Sequence, residues 1–250
     1  MKEHSFPLIE VDTHTHTVIS GHAWSTLTEN VEAAKERGMK GLCLTEHGPA
    51  LIGGAPEYTP HSQRMVPQFV DGIRVYKGIE ANILNPSGEM DIPEVFLKQT
   101  EYAIASYHAL GGINIRIGTC EENTDAYIKL MENPWIDVIG HPDSPKVPCD
   151  FEALVLAAKK NGKLCELNNN RIASGLYASP GMRELIKLCK KHDQKVVVSS
   201  DAHFHTMIGN VTAMWDLLDE LDFPHELIVN LKMDRFEEYI SGRKERIQSI

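Results

Sequence analysis

The chain has 250 residues, 42% apolar and 24% charged, with a formal net charge of −10. That apolar content supports a sizeable core in one domain. The acidic balance argues against a generic nucleic-acid or anionic-membrane surface, and no apolar run is long enough to span a bilayer.

The five cysteines, Cys43, Cys120, Cys149, Cys165 and Cys189, form no Cys-x-x-Cys pair. The amino terminus lacks the apolar stretch of a signal peptide, so a reduced, cytoplasmic protein is expected.

Residues 8–11 read as a short apolar strand ending at Asp12, followed by His14 and His16 and then by His22. Two histidines two apart at a strand end lie on one side of the chain. Converging imidazoles suit a borderline transition metal such as Zn²⁺. Thr26 to Glu29 matches a capping box, opening a helix through Leu27, Val31 and Ala34 that Gly38 or Gly41 can end. Residues 41–45 form the second strand, with His47 after it. Residues 48–67 are rich in Gly and Pro and read as an active-site loop with one short helix.

The third strand is expected at residues 73–79, ending at Glu80. Residues 82–100 read as a hairpin or short insertion. Residues 102–107 give the fourth strand, before His108, and residues 124–132 a helix. Residues 136–140 give the fifth strand, before His141. Asp150 caps a helix carrying Leu154, Ala157 and Ala158 and closed near Gly162. Residues 164–167 form the sixth strand, before Asn168, Asn169 and Arg171. Ser179-Pro180 opens another helix. Residues 195–200 form the seventh strand, before Asp201 and His203, and helices at 211–221 and 234–241 finish the chain.

Strands alternating with helices imply a parallel sheet, and seven units can close it into a barrel. In such barrels the working residues sit at the C-terminal ends of the strands. Those ends here carry, in order, His14/His16, His47, Glu80, His108, His141, Asn168/Asn169 and Asp201/His203. With His22 that is more than one Zn²⁺ needs, so more than one ion is expected, with Glu80 as the bridging carboxylate. Closely spaced divalent ions suit phosphate-ester hydrolysis.

His14-Thr-His16, Thr45-Glu46-His47, the His108 and His141 strand ends and Asp201-Ala-His203 together resemble the PHP (polymerase and histidinol phosphatase) superfamily, nearest its YcdX-type single-domain phosphatases. The resemblance runs over essentially the whole chain. It implies a distorted (β/α)₇ barrel with a trinuclear site, usually zinc, with manganese or iron in relatives. It places one ion with His14, His16, Glu80 and Asp201, a second with Glu80, His108 and His141, and a third with His22, His47 and His203. The expected enzyme is a metal-dependent phosphatase in which a metal-activated water attacks a small phosphomonoester. Alternatives are a histidinol-phosphate phosphatase and a catalytically silent metal-binding barrel.

Arg171 is a candidate phosphate clamp, acting with Asp201 and Glu80. Asn168, Asp12 and Glu46 are candidates to orient ligands. His4, His61, His192 and His225 read as solvated, His205 as facing away from His203, and the basic run 243–246 as a solvated face. The sequence leaves the substrate and the oligomeric state open.

Overall fold

The structure, a computed structural model, describes residues 8–174 and 180–248. Its strands are β1 (Val11–Thr15), β2 (Gly41–Leu44), β3 (Phe69–Val70), β4 (Ile73–Asn82), β5 (Tyr102–Ser106), β6 (Val138–Ile139), β7 (Leu164–Asn168) and β8 (Val196–Ser199). Seven of them pair in parallel in the order β1, β2, β4, β5, β6, β7, β8, and β3 adds an antiparallel pairing to β4. The helices are α1 (Leu27–Glu36), α2 (Thr59–Ser62), α3 (Glu94–Leu97), α4 (Cys120–Glu132), α5 (Phe151–Lys160), α6 (Asn169–Ala173), α7 (Pro180–Lys191), α8 (Thr212–Glu220) and α9 (Met233–Gln248). None is long and apolar enough to cross a membrane.

The sheet is nearly closed into the expected distorted barrel. Where β8 meets β1, the ladder passes beyond the end of β8: His16 N–H donates to Ala202 O (2.9 Å) and Ala202 N–H to His14 O (3.3 Å). Lower down, one side chain replaces the missing rungs. Asn230 donates to Val11 O (2.8 Å) and Val198 O (2.7 Å) and accepts from Val198 N–H (3.0 Å). Its amide does the work of a strand between two that have splayed apart.

Local chemistry accounts for the helix starts. Thr26 and Glu29 form the expected capping box on α1, and the Asp150 carboxylate accepts from Ala153 N–H at the start of α5. α4 begins earlier than expected, because Thr119 and Glu122 form a second capping box ahead of the apolar pattern. The start assigned to Ser179 lies outside the described residues. The 48–67 loop holds α2 and one 3₁₀ turn, and Ile83 pairs with Met90 in the expected hairpin.

Three strands move by more than one residue at an end. β1 starts at Val11 and continues through His14 to Thr15, with an irregularity between Asp12 and Thr15. Thr15 continues the strand because its N–H donates to Thr45 Oγ1 and its carbonyl accepts from Thr45 N–H, both at 3.0 Å. β4 runs on to Asn82, carrying Glu80 within it. β6 is short: the Asp137 carboxylate takes Ala103 N–H (2.9 Å) in place of a backbone rung, and the same carboxylate is held by a further interaction.

That interaction corrects the reading of residues 243–246 as a solvated face at Arg243, while Lys244 and Glu245 are exposed as expected. Arg243 is 3% exposed. Its Nε lies 2.8 Å from Asp137 Oδ2, and its other nitrogens donate to Thr100 O (2.9 Å) and Trp135 O (3.0 Å). Tyr239 OH donates to Asp137 Oδ1 (2.9 Å). α9 thus covers the N-terminal end of the barrel. There Phe236 meets Tyr76 edge-on, with centroids 5.0 Å apart, and joins an apolar interior of Val11, Cys43, Ile104, Val138 and Val197. The lower barrel is filled, and the C-terminal end is left for polar groups. All five cysteines are free.

Removing one partner of a buried, hydrogen-bonded ion pair strands the other charge. Arg243→Ala is therefore expected to lower unfolding free energy by about 3–5 kcal/mol in urea denaturation; a loss below about 1 kcal/mol, the range of exposed ion pairs, would contradict the plug.

Candidate metal centre

The structure brings the histidines, Glu80 and Asp201 marked at the strand ends, with His22, to one place at the C-terminal mouth, whereas Asn169 turns away to accept from Met214 N–H (2.9 Å). Their nitrogens and oxygens fall into three groups. In the first, His14 Nε2 lies 3.3 Å from Glu80 Oε2 and 3.6 Å from Asp201 Oδ1, and His16 Nε2 lies 3.2 Å from the same Asp201 oxygen. In the second, His108 Nε2 and His141 Nε2 lie 3.3 and 3.1 Å from Glu80 Oε1. In the third, His203 Nε2 lies 3.0 Å from His22 Nε2 and 3.4 Å from His47 Nε2. His47 also turns Nδ1 to 2.5 Å from Glu80 Oε2, joining the third group to the others.

Two donors on one tetrahedral Zn²⁺ at about 2.1 Å stand roughly 3.4 Å apart. The observed separations sit around that value. One atom tests the fit further: His14 Nε2 is buried and has no hydrogen-bond partner. A buried polar atom without a partner is costly, and a cation shared by these donors removes that cost. The residues therefore fit divalent ions. By proximity, His16, His47 and His203 also form a set, so His16 faces two groups.

Other residues decide which ring nitrogen faces inward. Glu166 Oε1 accepts from His14 Nδ1 (2.6 Å), Asn82 Oδ1 from His108 Nδ1 (2.7 Å) and Asp201 O from His203 Nδ1 (3.0 Å). Each bond puts the proton on Nδ1 and leaves Nε2 as the donor atom. Glu166 is buried in β7, takes Ser199 Oγ–H (2.7 Å) and also accepts from His141 N–H (2.5 Å). Asn82 is held in turn by Asp91, at 2.6 Å. A Cβ on Gly48 would overlap that Asp91 carboxylate, which explains the glycine. Glu166, Asn82 and Asp91 escaped the sequence reading; a carboxylate inside the apolar run Leu164-Cys165-Glu166-Leu167 was the one available signal.

Asn168, a candidate orienting residue, does so: its Nδ2 donates to Asp201 Oδ2 (3.2 Å), and its Oδ1 caps α6 by accepting from Arg171 N–H (3.3 Å). Asp12 and Glu46 act on backbone rather than on rings. Asp12 accepts from Ser200 N–H (3.1 Å) and Gly209 N–H (2.8 Å), tying β1 to the turn after β8. Glu46 accepts from Thr17 and Ser20, both N–H and O–H, and so fixes the loop that carries His22. His141 and Asp201 take φ values of 31° and 50°. Left-handed backbone at two non-glycine residues is strain held by its surroundings, at the point where both side chains are aimed.

The electrostatics suit cations. Burial would raise the Glu80 and Asp201 carboxyls, yet the surrounding imidazoles hold both well below the usual range. Burial pushes His16 well down, helped by His47 and His203, and takes His47 down to about 4. Burial would also lower His14, but Glu80, Glu166 and Asp201 hold it well above the usual range. Ionised carboxylates, and neutral imidazoles as favoured at His16 and His47, are the states that metal binding requires.

A cavity of about 520 Å³ opens over the cluster. Arg171 lines it, as do Lys146, Ser144 and Asn170, and Leu51, Ile52 and Leu110 supply apolar surface. His61 pairs with Gln99, His192 with Glu152, and His205 with Ser25, all away from the cluster. His225 lies in a 3₁₀ turn outside the cavity. His4 is outside the described residues.

A sequence model of the PHP domain matches residues 12–240, and the chain belongs to this family. It is 40% identical over 238 residues to a probable phosphatase of Acetivibrio thermocellus, covering 95% of this chain and 98% of that protein. It is likewise 40% identical to a probable phosphatase of Caldicellulosiruptor saccharolyticus, covering 93% and 96%. Among solved structures, a histidinol phosphate phosphatase from Lactococcus lactis, complexed with zinc, L-histidinol and phosphate, superposes with a TM-score of 0.60 at 18% identity. That match covers 87% of this chain and 95% of the other and shows a shared fold.

Loss of an outer hydrogen-bond partner of a ligand typically weakens metal binding 10–100-fold. Glu166→Gln, which can no longer hold His14 in one tautomer as an anion, is expected to raise the zinc dissociation constant by about that factor in a competition titration. Unchanged affinity would show that Glu166 only packs.

Proposed function

We propose that this chain is a metal-dependent phosphatase that hydrolyses a small phosphomonoester, with its ions held at the mouth of the barrel. One observation carries the reading: nine side chains from six strand ends and the His22 loop converge with donor spacings suited to shared divalent ions. The relatives named probable phosphatases support the same class of reaction.

The donor groups support three ions: one with His14, His16, Glu80 and Asp201, one with Glu80, His108 and His141, and one with His22, His47 and His203. Zn²⁺ suits the histidine-rich set, and Mn²⁺ or Fe²⁺ can substitute in it. When bound, such ions lower the pKa of a water and draw off charge from phosphoryl oxygens. Glu80 presents one carboxylate oxygen to each of two groups, so it holds them at a fixed separation. Asp201, aimed by its strained backbone and by Asn168, closes the first group on the cavity side. Arg171 offers a planar cationic fork to the substrate's anionic oxygens. The fixed Nδ1–H bonds of His14, His108 and His203 keep the donor set organised before substrate arrives. A silent barrel is the weaker reading, because every donor is present and oriented. The free cysteines fit a cytoplasmic setting.

Phosphate release from an aryl phosphate by metal-replete protein tests the proposal. His16→Ala and Asp201→Asn, the latter chosen because Asn tolerates positive φ, should each lower kcat/KM by about a hundredfold or more, as loss of several kcal/mol of charge stabilisation implies. Circular dichroism should show the fold retained. Full activity in both variants would place the chemistry elsewhere.

A further inference from the structure

We infer that the preferred substrate is a phosphomonoester whose alcohol part carries a second acidic group, recognised by Lys146 and Arg171; this rests on the phosphatase reading above and deepens it. Outside the candidate metal donors, the cavity lining among the described residues holds two charged side chains, Lys146 and Arg171, and both are cationic. The one carboxylate in that lining is Asp201, already committed to the cluster. Asp143 is buried and outside the lining.

Charge balance decides what these two cations are for. Two or three divalent ions would set about four to six positive charges against the Glu80 and Asp201 carboxylates. A phosphate dianion is then already matched at the floor, and the further cations in the lining are not needed for it. They suit an acid on the leaving alcohol. The fork of Arg171 can take a carboxylate or a phosphate side-on, and the exposed Lys146, on the loop after β6, adds a point charge. The backbone that carries Arg171 is tied to the floor, since Asn168 accepts from Arg171 backbone N–H at 3.3 Å while donating to Asp201 at 3.2 Å. Ser144 and Asn170 add neutral polar groups nearby. An alcohol bearing an ammonium group, as an amino-alcohol phosphate does, would meet two like charges and find no free carboxylate, an arrangement that selects against it.

Matched two-carbon substrates test this. The metal-replete protein is given ethyl phosphate, phosphoglycolate, ethylene glycol bisphosphate and phosphoethanolamine, and kcat/KM is measured for each. Phosphoglycolate or the bisphosphate should exceed ethyl phosphate by about tenfold, a factor in keeping with charge-assisted pairing, and phosphoethanolamine should fall below it. The better of the two acids tells whether the second group is a carboxylate or a phosphate. In Lys146→Gln and Arg171→Gln the acid-to-neutral ratio should fall toward one. Binding gives a readout that needs no turnover: by calorimetry, phosphonoacetate should bind more tightly than ethylphosphonate, and aminoethylphosphonate more weakly, with the differences reduced in Lys146→Gln. Equal rates for acidic and neutral substrates, a preference for phosphoethanolamine, or a ratio unmoved by both variants would overturn the inference while leaving the phosphatase reading intact. Release of phosphate from none of the four would overturn both.

Discussion

The Glu80 carboxylate is the group around which the structure is arranged. It is fully buried within β4, near its C-terminal end, and five imidazoles, from His14, His16, His47, His108 and His141, lie against its two oxygens. An ionised carboxylate in that position is untenable without positive charge nearby. Imidazoles supply it only where protonated, as the surrounding carboxylates favour for His14, and protonating many of them together would set like charges in contact. Divalent ions between the donors resolve the conflict, which is why the cluster reads as a metal centre rather than as a core network.

The scaffold is organised to keep that cluster open and aimed. Below it the barrel is filled by apolar side chains and covered by α9, whose Phe236, Tyr239 and Arg243 close the lower end. Above, the closure between β8 and β1 runs through the ligand segment itself, where the backbone of His14 and His16 is bonded to that of Ala202, beside Asp201. Asp12 and Glu46 spend their carboxylates on the backbone of neighbouring turns, and Glu166, Asn82 and Asn168 set the rings and the Asp201 side chain. The strain at His141 and Asp201 is then borne by a frame that leaves those side chains few other positions.

Most of this was legible in the sequence because parallel barrels put working residues in one kind of place. A strand followed by His, Glu or Asp is a local pattern, and it recurred often enough to point to the candidate donors other than His22, which lies on a loop. What stayed illegible depends on partners remote in sequence. Glu166 matters because His14, 152 positions away, points Nδ1 at it. Arg243 looked solvated within a charged run until α9 was seen to bring it under Asp137. Lys146 gave no signal at all, since only the path of the loop after β6 brings it to the cavity. Strand ends shifted where side-chain bonds competed with the ladder, as at Asp137, or prolonged it, as at Thr15 and Thr45.

Metal content measured together with activity tests the central claim most directly. Elemental analysis of purified protein, with phosphate release assayed on the same batch before chelation, after it and after metal is returned, should give about two to three divalent ions per chain and activity that is lost and then restored. A single tightly held ion, or none, with phosphate release indifferent to chelation, would contradict the account.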